Sequence, residues 1–78
     1  MKKITKDKLN RIIKEVLGVE LTDDLAMSAV AGWDSLRHLQ LIAKIEEVFK
    51  IEIDFKDTLA MTNAKSIIKV LEKYVGKK

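Results

Sequence analysis

The stretch Gly32-Trp33-Asp34-Ser35-Leu36-Arg37-His38-Leu39-Gln40-Leu41-Ile42-Ala43-Lys44-Ile45-Glu46-Glu47-Val48-Phe49-Lys50 decides how the chain folds. From Ser35 to Lys50 the apolar residues Leu36, Leu39, Leu41, Ile42, Ala43, Ile45, Val48 and Phe49 cover more than half of a helical wheel, each residue advancing about 100°. Such a wheel predicts the central and most buried helix of a bundle. What remains polar is a narrow stripe, Arg37, Gln40, Lys44 and Glu47, spaced three, four and three, with His38 and Glu46 elsewhere on the wheel. That stripe is expected to face solvent or a partner.

Working outward, two further helices carry a single apolar face each. Leu9, Ile12, Ile13, Val16 and Leu17 follow the i, i+3, i+4, i+7, i+8 pattern, with Thr5 as a candidate N-cap and Gly18 placed where a helix stops. Ala64, Ile67, Ile68, Leu71, Tyr74 and Val75 repeat the pattern, with Thr62 or Asn63 as cap and Gly76 beyond the end. Between the first and central helices runs a long connection, Gly18 to Asp34, polar and small but for anchors such as Leu21, Leu25 and Val30; loops of that length in small domains are uncommon and often functional. Ile51-Glu52-Ile53 alternates as an extended connector, and Phe55 to Met61 has room for one short helix. Strand-forming sequence is too scarce for a sheet. The expected class is all-α, a small four-helix bundle with three main helices, one short helix and a long loop between the first and second.

The 78 residues allow one core and a single domain over 1–78, of a size that buries roughly 60–65% of the surface its unfolded chain exposes. A deep catalytic pocket is hard to build in so small a core, which favours a binding or carrier role. The chain has no cysteine, so neither disulfides nor thiolate metal sites are available, and no metal site is expected. Charged residues interrupt the first eight positions too often for a signal peptide, and no run approaches the about 20 apolar residues of a membrane span. The protein is therefore expected to be soluble, cytoplasmic and monomeric.

The net charge of +3 raises nucleic acid as a partner. Its distribution argues otherwise: residues 1–17 carry six basic and two acidic side chains, 18–57 four basic and nine acidic, and 58–78 five basic and one acidic. A reader of phosphate concentrates Lys and Arg on the element that meets it, whereas here the basic residues sit in the terminal segments, as solvated helix faces do. A small helix-turn-helix-like nucleic-acid binder is the competing reading.

Chemistry concentrates where the loop meets the central helix. Serine is a favoured helix cap, so the plain reading of Ser35 is structural. A helix N-terminus also suits a phosphodiester, because its free N–H groups and dipole favour negative charge. Asp34-Ser35-Leu36, followed by the apolar helix and Ile45-Glu46-Glu47-Val48-Phe49-Lys50-Ile51-Glu52-Ile53, resembles the attachment motif and second helix of acyl carrier proteins, and the likeness extends along nearly the whole chain. The resemblance implies a protein that is not an enzyme. Ser35 would accept 4′-phosphopantetheine from coenzyme A through a separate, magnesium-dependent phosphopantetheinyl transferase. The arm's thiol would then hold acyl or aminoacyl cargo as a thioester. The implied partners are that transferase, an acyl- or aminoacyl-loading ligase and downstream synthase or transferase enzymes. Asp34 would orient the transferase complex and Leu36 would touch partner enzymes, with Arg37, Gln40 and Lys44 as further partner-binding candidates.

His38 stands about one turn from Ser35, but a Ser-His hydrolase needs an orienting third group and an oxyanion hole, and no Gly-x-Ser-x-Gly elbow is present. His38 is expected to pack at the rim of the central helix and Trp33 to pack on the bundle. Carriers of general fatty acid synthesis are usually acidic along this helix; Arg37, Gln40 and Lys44 depart from that pattern, so partner surfaces must differ. The Trp-Asp-Ser-Leu-x-His-Leu run looks more like discrete carriers of polyketide, nonribosomal peptide or aminoacyl-transfer systems. The sequence does not name the cargo.

Overall fold

The computed structural model describes residues 6–75, which form four α-helices in chain order: α1 (Lys6–Leu17), α2 (Ser35–Phe49), α3 (Phe55–Ala60) and α4 (Ala64–Val75). A single 3₁₀ turn, Met27–Ala29, interrupts the long loop. The all-α class, three long helices and one short, is as expected. The proposed Thr5 cap and Gly76 stop lie outside the described residues.

Each helix end has a local cause. α1 stops at Gly18, whose φ of 74° only glycine adopts without strain and whose N–H closes on the Lys14 carbonyl at 2.9 Å. The choice between Thr62 and Asn63 as cap of α4 falls to Asn63. Its Oδ1 accepts from the Ser66 N–H at 2.8 Å while Ser66 Oγ accepts from the Asn63 N–H at 3.2 Å, a reciprocal cap. α2 ends at Lys50, a left-handed residue at φ 57° where glycine is usual. Lys50→Gly should therefore raise stability by about 0.5–1 kcal/mol, read as a higher urea midpoint at constant slope.

The core is one cluster. Leu9, Ile13, Leu41, Ile45, Met61, Ile67 and Leu71 are fully buried, joined by Trp33, Leu25 and Ile53 from the connections. The expectation that α2 would be the most buried helix needs correction. α1 and α4 bury four residues each, but α2 buries only Leu41, Ile42 and Ile45, and leaves Leu36 and Leu39 each 62% exposed. The apolar arc of α2 is wider than α1, α4 and a six-residue α3 can cover.

The long loop is tied down at both ends and the middle. Asn10 Oδ1 accepts from the Leu21 N–H at 2.7 Å, and Lys14 pairs with Glu20 at 3.1 Å. An isolated antiparallel bridge joins Ala26 to Asn63, with Met27 N–H donating to the Thr62 carbonyl and Ala64 N–H to that of Leu25. This clamp holds the loop against the α3–α4 junction and so sets the path by which the chain reaches α2.

α3 is anchored from below. The Tyr74 hydroxyl donates to Asp57 at 2.6 Å and accepts from the Asp54 N–H at 3.0 Å, and Lys73 pairs with Asp57 at 3.1 Å. The Tyr74 hydroxyl and then Lys73 hold the Asp57 carboxyl below its ordinary 3.8. A depressed carboxyl stabilises the fold above its unfolded value and loses that contribution as pH falls through the folded one. Tyr74→Phe should lower the urea midpoint at neutral pH, and its deficit against the unaltered protein should shrink at pH values below 3.8.

Candidate functional site

Trp33, Asp34 and Ser35 carry the loop into α2. Asp34, in extended backbone, is the N-cap: its Oδ1 accepts from the Arg37 N–H at 3.0 Å and its carbonyl from the His38 N–H at 2.8 Å. Ser35 is therefore the first helical residue and not the cap. That removes the structural reading of its hydroxyl. Ser35 is exposed, and among the described residues no hydrogen bond engages its Oγ. The other two serines differ. Ser28 is exposed on the 3₁₀ turn with no long helix behind it, and the Ser66 hydroxyl is occupied by Asn63.

An exposed hydroxyl at the first position of a long helix has the free N–H groups and the positive end of the helix dipole beside it. These residues fit a phosphodiester at Ser35 Oγ. The capping carboxylate places Asp34 next to that hydroxyl in sequence, and its two possible roles separate cleanly by mutation. Asp34→Ala should cost about 1 kcal/mol as a lost cap, whereas Asp34→Asn keeps the cap and removes only the charge. Thermal midpoints of both, set beside their rates of modification, distinguish capping from recognition.

Residues 7–71 match the family model described as "Phosphopantetheine attachment site". The chain belongs to that family. It is a non-catalytic carrier domain that bears phosphopantetheine. Among relatives, it is 31% identical over 75 residues to the non-reducing polyketide synthase AC of Didymella fabae; the match takes in 92% of this chain but only 3% of that synthase's length. Among solved structures, it is similar to a chain of "The ishigamide ketosynthase/chain length factor", with a TM-score of 0.75, 27% identity, and coverage of 91% of this chain and 93% of that one.

The carrier's remaining candidates fall on different sides of α2. Leu36 is exposed beside Ser35, and Gln40 is exposed a turn further on. Arg37 is exposed too, but turns toward α1 and donates from Nη1 to the Val16 carbonyl at 2.8 Å, near the negative end of that helix. Lys44, half-buried, pairs with Glu15 of α1 at 3.6 Å. The polar stripe thus leans on α1 along one edge, with Gln40 and Glu47 left to solvent.

Sequence reasoning missed what occupies the other edge. Leu39 on α2 and Phe55 on α3 flank an open hollow of about 260 Å³ whose floor includes Ile42, Ile53 and Thr58. Leu39, Phe55 and Leu59 are 62%, 71% and 61% exposed. Together with Leu36 they leave large apolar side chains exposed on α2 and α3, the kind of surface that marks an interaction site. The signal was present in the breadth of the α2 wheel, which exceeded what a bundle this small can bury.

Trp33 packs on the bundle as expected, 3% exposed. Its indole N–H donates to His38 Nδ1 at 3.0 Å, and His38 Nε2 lies 2.7 Å from the Thr58 carbonyl. With both ring nitrogens so engaged, neither is directed to Ser35 as a base, which disposes of the Ser-His pairing. No helix among the described residues is long and apolar enough to cross a membrane, and no group of three or more metal-ligating side chains occurs among them.

Proposed function

We propose that Ser35 is the attachment point of the arm and that this carrier serves a polyketide-type pathway. The observation that carries the assignment is the unengaged, exposed Ser35 hydroxyl at the first position of α2, with Asp34 already doing the capping. In loading, Ser35 Oγ bonds to the phosphorus of coenzyme A's pantetheine half as the pyrophosphate P–O bond breaks. The adenosine bisphosphate half leaves with those electrons, and the hydroxyl proton passes to a base on the transferase. The positive end of the α2 dipole would favour the charge of a phosphodiester there. Once attached, the arm supplies a thiol on which acyl or aminoacyl cargo is held as a thioester.

The polyketide reading is supported by the two likenesses named above, one to a polyketide synthase and the other to a chain of similar length in a structure titled for a ketosynthase and chain length factor. The partners of this carrier are then a transferase that adds the arm, an enzyme that loads the cargo and, by likeness to those relatives, a ketosynthase that extends it, and the cytoplasm is the compartment in which they work. Leu36, Leu39, Phe55 and Leu59 form the apolar part of the surface these enzymes meet, with Asp34 and Gln40 at its polar rim. Arg37 and Lys44 set the charge along its α1 edge, where mixed or acidic partner surfaces complement them. The exposed apolar side chains at the start of α2 also speak against a helix-turn-helix reader, whose recognition helix presents polar and basic side chains at that end.

The test is the intact mass of the protein after incubation with coenzyme A and a broad-specificity phosphopantetheinyl transferase. One added arm is expected. Salt-sensitive DNA binding by a protein that takes no arm would overturn the reading.

A further inference from the structure

We propose that His38 is the positioning residue of the loading site, holding Ser35 in place by joining the loop before it to α3. Because the Trp33 indole N–H can only donate, His38 Nδ1 is its acceptor at 3.0 Å and the ring's N–H is the one at Nε2. That proton is donated to the Thr58 carbonyl at 2.7 Å. Only this tautomer satisfies both partners, so the α3 backbone dictates which nitrogen is left to receive Trp33.

The relay brackets Ser35. Trp33 lies two residues before it and His38 three residues after it, so one hydrogen bond fixes the chain on both sides of a serine whose own hydroxyl no described residue engages. The outer ends are fixed in turn. The Trp33 N–H donates to the Val30 carbonyl at 3.0 Å, and Thr58, buried, donates from its N–H to the Asp54 carbonyl at 3.1 Å and from its hydroxyl to that of Phe55 at 2.7 Å. The placement of α3 is thereby transmitted to the Ser35 end of α2. Among the described residues the ring nitrogens of His38 are engaged by Trp33 and Thr58 and not by the Ser35 hydroxyl, so it acts through Trp33.

This inference rests on Ser35 being the attachment point. The test is steady-state transfer of phosphopantetheine from coenzyme A to the unmodified protein by a broad-specificity transferase, for the wild type, Trp33→Phe, His38→Leu, their double variant and His38→Gln. A serine displaced by a fraction of an ångström loses rate in the bound complex, so kcat should fall about tenfold in Trp33→Phe and in His38→Leu. The transferase's KM for the carrier should stay within about twofold, since docking is unchanged. The double variant should be no slower than the singles, the sign of one shared interaction. His38→Gln should recover most of the rate, because its carboxamide oxygen accepts from Trp33 while its NH₂ donates to Thr58. Emission from the single Trp33 should shift in His38→Leu and return in His38→Gln.

If His38→Leu does not fold, Trp33→Phe decides, read only with helical content retained by circular dichroism, since it removes the indole donor together with part of the buried ring system. An unchanged kcat in Trp33→Phe with a normally loaded wild type defeats this inference alone. So does a fall in kcat that merely tracks lost helical content, or a glutamine variant that restores nothing. A wild type that takes no arm defeats the attachment reading and this inference with it.

Discussion

With alanine at position 35, uptake of phosphopantetheine is expected to fall to background while the helical fold persists. The expectation separates chemistry from stability because the structure gives the cap of α2 to Asp34. The substitution therefore removes a hydroxyl that holds nothing together. Alanine also has the better helix propensity, by up to about 0.5 kcal/mol, so the thermal midpoint should stay level or rise slightly. Label transfer from coenzyme A, followed alongside circular dichroism, measures both. A variant that still took up label would relocate the attachment point; one that lost its fold would show that Ser35 carries a structural load after all.

The second large effect concerns the surface that meets partner enzymes. Leu39→Gln combined with Phe55→Gln should slow both arm addition and cargo transfer by about tenfold or more, because buried apolar anchors dominate interface energies. The folded state should hardly notice. Both side chains are more than half exposed, so the change in stability should remain within about 0.5 kcal/mol for each substitution. Rates measured over a range of carrier concentrations should show the loss mainly as a raised KM. Unchanged rates would leave Leu36 and the polar rim as the contact surface.

These effects also separate what the sequence makes legible from what only the fold reveals. The helices were legible because α1 and α4 each carry one narrow apolar face, and Leu9, Ile13, Ile67 and Leu71 are buried as that periodicity requires. The motif at the loop–helix junction was legible because Asp34, Ser35 and Leu36 sit where a long polar connection meets an apolar run. The burial of α2 was misjudged, since a wheel shows which residues are apolar but not how much neighbouring surface exists to cover them. Leu39 belongs to the apolar arc of that wheel and, with Phe55 and Leu59 of α3, lies outside the core in the fold.

The division of labour at the helix start was equally hidden. Serine and aspartate are both good caps, and only backbone geometry assigns the role to Asp34 and frees Ser35. The Arg37 and Lys44 stripe was correctly seen as polar, but its lean toward Val16 and Glu15 depends on how α1 crosses α2, which side-chain spacing does not encode. His38 was placed at the rim of the helix. Its two partners, Trp33 and Thr58, lie five residues before it and 20 residues after it, the second on a separate helix.

The most direct test of the account is peptide mapping by tandem mass spectrometry of the protein coexpressed with a broad-specificity phosphopantetheinyl transferase. The account predicts a single phosphopantetheine on the peptide that spans Trp33 to Arg37, with fragment ions placing it on Ser35. No modification, or an arm on Ser28 or Ser66, would contradict it.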